Sequence, residues 1–304
     1  MVNDRSTDNT GEILTQLLPN YQHLQVQEVR DLPALWLGKN NALYQGYLKS
    51  EEEWLLFTDA DVIFNQDALS KAMGYVLKNS VDHLTVFPHI RSRSKMLNAI
   101  VQTFAIMLDL KLKPWEAKNP RSKASVGIGA FNLIKRTVYE SIGTHKEIKM
   151  RPDDDLKLGE RVKNGGFQQD ALYGDDQIGL EWYANVKEFV NGLMKNTFAS
   201  FNYNLFAALS SAIATLLIFT LPIPLGLIFG TNSIRLVALA LLFVYWLLFY
   251  FKPGKRAWWC FLVLPFAGGL MAFVIIKSTF LTLTNKGIYW RENFYALSDL
   301  KQQQ

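Results

Sequence analysis

Cysteine is almost absent from this chain of 304 residues. The single cysteine, Cys260, excludes an intramolecular disulfide, and the four histidines, at positions 23, 83, 89 and 145, lack the spacing of metal ligands. The chain also has no basic tract and no interleaved stacking motif, so its net charge of +5 does not indicate a nucleic-acid partner. That charge fits a protein that touches an anionic membrane surface.

Charged residues are scarce, at 19%, because the chain is mostly apolar from about Asn204 onward. The first 180 residues instead alternate short apolar runs with helical patterns, which predicts an α/β domain with a mostly parallel sheet. Ligands of such a domain bind outside the carboxyl ends of the strands. The predicted strands cover residues 24–29, 54–58, 83–87 and 127–134. The predicted helices cover residues 11–18, 41–50, 67–79, 96–110, 135–142 and 154–164.

Two helical patterns raise the question of a membrane. Residues 181–203 carry an apolar stripe at helical spacing, which predicts an amphipathic helix in the membrane interface or, alternatively, one packed on the domain. The helix at 96–110 is apolar but too short to span a bilayer, which takes roughly 20 residues. It is either a buried core helix or a helix at the membrane surface beside an apolar acceptor.

Residues 204–283 predict about three membrane helices, near 205–229, 234–251 and 258–276. The loop between the second and third carries Lys252, Lys255 and Arg256, whereas the loop before it carries only Arg235. The positive-inside rule therefore places this loop in the cytoplasm and, two crossings earlier, the α/β domain as well. We expect a protein of the plasma (inner) membrane with a cytoplasmic domain.

Two features of this region leave alternatives open. Prolines 222 and 224 interrupt the first segment, so a kinked or re-entrant element could form there. The polar and aromatic tail, residues 284–304, lies on the far side if the third segment crosses, whereas a hairpin within residues 258–283 would return it.

The most informative motif is Asp59-Ala60-Asp61, which follows an apolar run at residues 54–58. Two carboxylates at the end of a strand can converge on Mg²⁺ or Mn²⁺, which prefer oxygen ligands and keep positions open for substrate phosphates. A solvated turn is the alternative for this motif in isolation.

Other stretches carry polar groups that suit a nucleotide diphosphate. Lys39 follows a glycine at a helix start, where a diphosphate would meet backbone N–H groups and a positive charge. The run Asp153-Asp154-Asp155 begins another helix; mutual repulsion and burial could raise the pKa of one member toward that of a general base, although a helix cap is the simpler explanation. Asp4 could accept a hydrogen bond from a nucleobase, or serve with Asp8 in a capped turn.

In this order, the motifs resemble those of the family 2 glycosyltransferases with the GT-A fold, specifically the membrane-attached, lipid-modifying branch. Residues 3–8 resemble the nucleotide loop of that family, residues 36–43 its Gly-Lys-x-x-Ala-Leu segment, and residues 59–61 its metal motif. Gly129, Ala130 and Phe131 are similar to its acceptor-side segment, and Asp154 and Asp155 to the motif whose second acid is the catalytic base. Trp182 and Tyr183 resemble its interfacial helix, and Trp290, Arg291 and Tyr295 its tail.

The resemblance implies a metal-dependent, inverting transferase that moves a sugar from a nucleotide donor, with a UDP-linked donor expected, to a lipid hydroxyl. It implies that Asp155 is the base with Asp154 beside it, that Asp59 and Asp61 hold Mg²⁺ or Mn²⁺, and that the donor meets Asp4, Asp8, Lys39 and Asp59. The acceptor side would comprise Gly129, Ala130, Phe131, Trp182 and Tyr183.

Two departures from the family pattern affect these expectations. The first strand of the family fold should precede Val2, so we expect a chain truncated at its N-terminus. No Gln-x-x-Arg-Trp motif occurs, since Glu181 precedes Trp182, which argues against a processive synthase. A polyprenyl-phosphate sugar synthase and a non-catalytic membrane scaffold with a degenerate transferase domain remain the alternatives.

Overall fold

The computed structural model describes residues 1–92, 94–251, 258–290 and 293–302. The basic loop that set the predicted orientation, with Lys252, Lys255 and Arg256, lies outside the described residues, as does Arg291 of the tail motif.

The α/β fold is confirmed, but its sheets are mixed in direction rather than mostly parallel. One sheet has the order β3-β7-β5-β8, a second β4-β9-β6, a third β1-β2, and β10-β11 form a hairpin. The strands are β1 (Val2–Asp4), β2 (Gln27–Val29), β3 (Trp54–Phe57), β4 (Ile63–Phe64), β5 (His83–Phe87), β6 (His89–Ile90), β7 (Asn132–Lys135), β8 (Gln169–Tyr173), β9 (Ile178–Leu180), β10 (Gly287–Trp290) and β11 (Asn293–Ala296).

Strand β7 accounts for the mixed direction and for the position of the site. It lies between β3 and β5 and runs antiparallel to both. Phe57 at the end of β3 therefore pairs with Asn132 at the start of β7. The residues after β3 and the residues before β7 consequently lie at the same sheet edge, which brings Asp59 next to Gly129.

The helices follow the predicted pattern closely. They are α1 (Thr10–Leu17), α2 (Gly38–Leu48), α3 (Ala68–Asn79), α4 (Lys95–Leu112), α5 (Arg136–Ser141), α6 (Asp154–Asn164), α7 (Val186–Thr197), α8 (Leu205–Thr215), α9 (Pro222–Phe229), α10 (Asn232–Phe251), α11 (Leu264–Thr284) and α12 (Leu297–Lys301). The clearest difference concerns the strand predicted at 127–134, which begins only at Asn132 because residues 127–131 form a loop against α6.

Side-chain caps begin the helices that carry the apolar face of the molecule. Ser94 accepts from the Leu97 N–H at the start of α4, and Asn204 accepts from the Ala207 N–H at the start of α8. Asn185 accepts from the Glu188 N–H at the start of α7, while the Glu188 carboxylate accepts from the Ala184 N–H and the Asn185 amide. Each cap satisfies backbone donors that the first helical turn leaves free.

Helix α4 is buried on one face between α7 and α11. Leu97, Ile100 and Val101 pack with Phe189 of α7 and Met271 of α11. The core-helix interpretation of this segment is thus correct for one face, while another face borders the cavity described below.

The helical apolar region is interrupted near Pro222 and Pro224, where the sequence leaves a kinked or re-entrant element open. A π-helical turn at Leu216–Thr220 follows α8, and α9 begins at Pro222, which has no backbone N–H to donate. Within the described residues, the helices Asn232–Phe251 and Trp259–Thr284 are long and apolar enough to cross a membrane. The chain bends by 119° between the helical segments Val186–Phe201 and Leu205–Thr220. Together they would add a third span if they counted as one.

Candidate active site

The metal motif predicted at residues 59–61 directly follows β3. Burial alternates along this strand, with Leu55 and Phe57 in the core, and the chain then leaves the sheet. The Asp59 backbone N–H donates to the Gly129 carbonyl at 3.1 Å, which fixes the start of the turn. The Asp59 side chain is 41% exposed, so its carboxylate remains available to a ligand.

The three carboxylates before and within α6 have different partners. Asp153 is bound in a bidentate pair by the fully buried Arg151, with N–O distances of 2.9 and 2.8 Å. Asp154 is 3.3 Å from the Lys39 ammonium. Asp155 instead accepts from the Gly129 N–H at 2.8 Å and from the Leu156 N–H at 2.8 Å. Among these carboxylates, Asp155 is the one whose charge has no ion pair in the described part of the chain.

Lys39 joins the two halves of the site. Its ammonium lies 3.3 Å from Asp59 on one side and 3.3 Å from Asp154 on the other. Burial alone would lower the pKa of Lys39, but the neighbouring carboxylates outweigh burial and raise it. The lysine is therefore a fixed positive charge between the end of β3 and the start of α6.

Burial raises the pKa of both Asp154 and Asp155 above the usual range of an aspartate, and the charge of Lys39 opposes that shift. The direction is what a general base requires, because a carboxylate with a raised pKa holds a proton more readily. The positions of the carboxylates distinguish the two: the Asp154 carboxylate faces Lys39, whereas Asp155 lines the cavity that also contains Asp59.

Glycine at position 129 leaves the space in which these groups converge. A Cβ there would lie 2.8 Å from the Asp59 carboxylate, 3.2 Å from the Lys39 ammonium and 3.5 Å from the Asp155 carboxylate. The Gly127 loop and the Gly159 turn of α6 also touch backbone to backbone, since a Cβ on Gly159 would overlap the Val126 carbonyl.

We expect Gly159→Ala to destabilise the protein by about 1–3 kcal/mol, the usual cost of overpacking, and to reduce activity by moving α6. The matched control is Gly74→Ala in α3, where a new Cβ meets nothing within 4 Å and should be neutral or stabilising. Apparent melting temperatures of the two purified variants measure the difference. Equal melting temperatures would show that α6 can shift away from the loop at little cost.

A buried polar network supports this loop from behind. His83 in β5 contacts the Asn132 side chain at 2.9 Å through Nε2 and the Gln169 amide at 2.8 Å through Nδ1. Gln169 also accepts from the Val126 N–H and donates to the Gly159 carbonyl. Burial lowers the pKa of His83 to about 4, and a neutral ring suits these partners because Nδ1 must accept from the Gln169 amide.

A cavity of about 550 Å³ extends from the carboxylates into the apolar helices. At one end it is lined by Asp59, Gly129 and Asp155. At the other end it is lined by α4, the end of α7, α8 and the middle of α11, including Thr215 and Met271. One continuous space therefore connects a polar, acidic site with the surface formed by candidate membrane helices.

The remaining predicted site residues divide into those near the site and those outside it. Asp4 lies beside the start of α2, since a Cβ on Gly38 would be 2.6 Å from its carboxylate, and it is paired with Arg5 at 2.8 Å. Asp8 is exposed and accepts from the backbone N–H and hydroxyl of Thr10, so it closes a tight turn before α1. The structure thus places Asp4, but not Asp8, beside Gly38, the residue before Lys39.

The predicted acceptor residues divide in the same way. Ala130 and Trp182 line the cavity, and Trp182 packs on Phe104 at 5.5 Å between ring centroids. Burial, and to a smaller extent the nearby Asp61 carboxylate, raises the pKa of Tyr183 to about 12, which places Asp61 on this side. Phe131 is fully buried in the core, where it supports the loop and does not face the cavity.

The carboxylate oxygens at residues 59–61 suit a divalent cation whose remaining ligands come from substrate phosphates and water. In the described residues no group of three or more His, Cys, Asp or Glu side chains is placed to hold a metal. Asp59 is nevertheless a hard oxygen donor next to the space that Gly129 leaves free, and Asp61, two residues further on, lies near Tyr183. Mg²⁺ commonly uses one or two carboxylates, several waters and substrate phosphates, which matches these residues.

Sequence comparison links the N-terminal half to known proteins. Residues 1–143 match the profile described as Glycosyl transferase family 2. The poly-beta-1,6-N-acetyl-D-glucosamine synthases of Staphylococcus epidermidis and Staphylococcus aureus (strain COL) are each 28% identical, over 152 and 155 residues. Each match covers 47% of this chain and 33% of the relative, so the chain spans about a third of the length of the curated relatives it matches.

Structure comparison extends the likeness to nearly the whole chain. The mannosyltransferase PcManGT from Pyrobaculum calidifontis, solved in complex with GDP-Man and Mn²⁺, has a TM-score of 0.54 at 15% identity. The match covers 94% of this chain and 77% of the other. At this identity the likeness concerns the fold, which is the GT-A fold expected from the sequence.

Proposed function

We propose that this chain, whose residues 1–143 match the profile of glycosyl transferase family 2, transfers a sugar from a nucleotide donor to the hydroxyl of a membrane lipid. The donor would be UDP-linked and the reaction would invert the anomeric centre. The chain would sit in the plasma (inner) membrane with its carboxylates on the cytoplasmic side. The observation that carries the proposal is the cavity that joins Asp155 to the apolar helices α4, α8 and α11.

The shape and lining of that cavity favour a lipid. Apolar side chains of α4, α7 and α11 line its far end, and Phe104, Met271 and Ile275 are among them. An acyl or isoprenoid chain could bury its apolar surface at this end of the cavity, while the polar end of the same lipid reached Asp155. Apolar burial of this kind supplies about 25 cal/mol per Å², which gives affinity for a lipid without specific polar contacts.

The charge of the cavity favours a hydroxyl over a phosphate as the acceptor. Five carboxylates line it, and Lys111 is the one lysine or arginine among its described lining residues. The carboxylates are Asp59, Asp109, Asp153, Asp155 and Asp175. Arg151 pairs with Asp153 and Lys39 with Asp59, but carboxylates still outnumber cations here, so a neutral hydroxyl could approach more easily than an anionic lipid phosphate. The lining therefore disfavours a polyprenyl-phosphate sugar synthase.

The donor would bind where the end of β3 meets the starts of α2 and α6. Lys39 would face the diphosphate, and Asp4 would accept a hydrogen bond from the base. Asp59 and Asp61 would hold Mg²⁺ or Mn²⁺, which supplies positive charge to the departing nucleotide diphosphate when bound. Together with Lys39 this would offset the negative charge that develops on the leaving group.

Asp155 would act as the general base. The acceptor oxygen attacks the anomeric carbon and forms the new glycosidic bond as the bond from that carbon to the diphosphate breaks. The hydroxyl proton goes to Asp155, and the electron pair of the broken bond leaves with the nucleotide. A single in-line attack inverts the configuration, because no second carboxylate forms a covalent sugar intermediate.

The experiment described below also distinguishes two alternative functions. The staphylococcal relatives are named as polysaccharide synthases, so a chain that extends a soluble saccharide would follow their names. A non-catalytic scaffold would bind no donor at all. The intact set of Lys39, Asp59 and Asp155 argues against the scaffold, since each of these side chains lies within 3.5 Å of one Cβ position on Gly129.

We expect the purified chain, in vesicles that contain candidate acceptors, to label a lipid from a radioactive nucleotide sugar. Ala105→Phe places a ring in the cavity and should reduce transfer to the lipid by at least about tenfold, while UDP binding stays normal. Ala214→Phe, on the exposed side of α8, is the matched control and should have no effect. Transfer to soluble saccharides that Ala105→Phe leaves unchanged would refute the lipid acceptor.

A further inference from the structure

The C-terminal hairpin formed by β10 and β11 has two chemically different faces. In its register Ile288 pairs with Tyr295, and Tyr289 pairs with Phe294. Ile288 is 5% exposed and faces inward, whereas Tyr289 is 66% exposed and Phe294 47% exposed. Because cross-strand partners share a face, Tyr295 lies on the inner face with Ile288.

The inner face packs on the domain that carries the carboxylates. Ile288 and Leu300 belong to a buried cluster with Met150, which directly precedes Arg151 of the α6 approach. The same cluster contains Phe198, at the end of α7. Lys195 of α7 lies over the Trp290 ring at 4.4 Å. The hairpin is therefore held against the domain and does not project away from it.

Tyr295 reaches the start of α2 from this position. The Gly38 backbone N–H, Asp4 and Arg5 all lie close enough to its hydroxyl to influence its pKa. Burial raises the pKa of Tyr295, so the hydroxyl stays neutral at physiological pH. Gly38 directly precedes Lys39, so an aromatic ring from the end of the chain stands at the edge of the donor site.

We propose that the hairpin forms one wall of the donor site and that the Tyr295 ring contacts the nucleoside of the donor. An aromatic face, the acceptor Asp4 and the N–H groups at the start of α2 together offer what a nucleoside diphosphate requires: stacking, base hydrogen bonding and anion contacts. The inference rests on the proposed function, because it assigns a residue to the same donor. It also assigns to the donor site the hairpin that follows the apolar helices, whereas the other residues of that site lie between positions 4 and 155.

The contact has a topological consequence. A hairpin packed on the domain must lie on the same side of a bilayer as that domain. The tail therefore lies beside the donor site rather than across the membrane from it.

Measurements of nucleotide affinity test whether the Tyr295 ring contacts the nucleoside of the donor. Stacking of a base on an aromatic side chain contributes about 1–3 kcal/mol, so Tyr295→Ala should weaken binding of both UDP and UMP by about 5- to 150-fold. Turnover at saturating donor should stay within about twofold, because contact with the nucleoside is the same in ground and transition states. Tyr289→Ala on the outer face is the matched control. Unchanged UMP affinity in Tyr295→Ala would overturn the proposal.

Two further measurements keep the test decisive if Tyr295→Ala folds poorly. Tyr295→Phe keeps the ring and should bind UMP within about threefold of the parent, whereas Tyr295→Leu, which keeps apolar volume without a ring, should resemble the alanine variant. If Tyr295→Leu binds UMP as tightly as Tyr295→Phe does, the stacking contact is refuted. If the parent chain itself binds no nucleotide, the proposed function fails and the hairpin proposal fails with it; normal parent binding with an unaffected Tyr295→Ala refutes the hairpin proposal alone.

Labelling tests the side of the membrane. Tyr289→Cys and Leu77→Cys place exposed thiols on the hairpin and on α3 of the domain, and the native Cys260 is buried. An impermeant maleimide should label both from the same side of sealed vesicles. Labelling from opposite sides would overturn the contact between hairpin and domain.

Discussion

Asp155→Asn is expected to reduce turnover by at least about 10², the lower end of general-base effects, while donor affinity barely changes. The amide keeps the shape of the side chain and loses its proton affinity. The Gly129 N–H, 2.8 Å from the present carboxylate, can still donate to the amide oxygen, so the loop should stay in place. Steady-state kinetics with separate UDP-binding measurements would establish both effects.

Asp67→Asn is the control for this experiment, because its carboxylate is exposed at the start of α3. It should have normal turnover. If Asp155→Asn instead loses donor affinity and keeps normal turnover per bound donor, then Asp155 binds the donor and the base is another group, with Asp154 the nearest candidate. Activity that survives in Asp155→Asn would favour a phosphate acceptor, which needs little base assistance.

Removal of divalent metal should have an effect of similar size. We expect EDTA to abolish transfer and Mn²⁺ or Mg²⁺ to restore it, since the charge on a leaving diphosphate is costly to develop without a cation. Asp61→Ala should reduce transfer by at least about 10², equivalent to roughly 3 kcal/mol of transition-state stabilisation. Dose-response curves for Mn²⁺ with the parent and the variant would measure the change in metal requirement.

Glu51→Ala removes an exposed carboxylate shortly before β3 and serves as the control for charge alone. Its activity and Mn²⁺ requirement should match the parent. Full activity in chelator would exclude a divalent ion from the mechanism. A normal Mn²⁺ curve in Asp61→Ala would leave Asp59 as the sole protein ligand.

Local patterns along the chain were sufficient to predict most helices. Helix α6 has the predicted bounds, 154–164, and α3 and α4 differ by one or two residues at an end. Apolar spacing and N-terminal acids encode such elements within a few turns of the chain. The motif at 59–61 was predictable for the same reason, because an apolar strand followed by two acids is a local signal.

Partners distant in sequence could not be predicted from these patterns. The Asp153-Asp154-Asp155 run did not reveal which acid would be free, since Arg151 and Lys39 select their partners through tertiary contacts. The direction of β7 was also hidden, because a strand has the same alternation whether it runs parallel or antiparallel. Tyr295 was recognisable only as part of the tail motif, and its position near Gly38 could not be predicted because the two residues are separated by most of the chain.

The sequence by itself determined the presence of an α/β domain, the acids and lysine that the proposed nucleotide-dependent transfer requires, and an apolar region after residue 204. Each follows from composition or from spacing over a few residues. The tertiary structure alone decided that Asp59, Lys39 and Asp155 converge on Gly129, that one cavity joins them to the apolar helices, and that the hairpin returns to the domain. These depend on packing between segments far apart in the chain, where burial and charge pairing act across space rather than along the sequence.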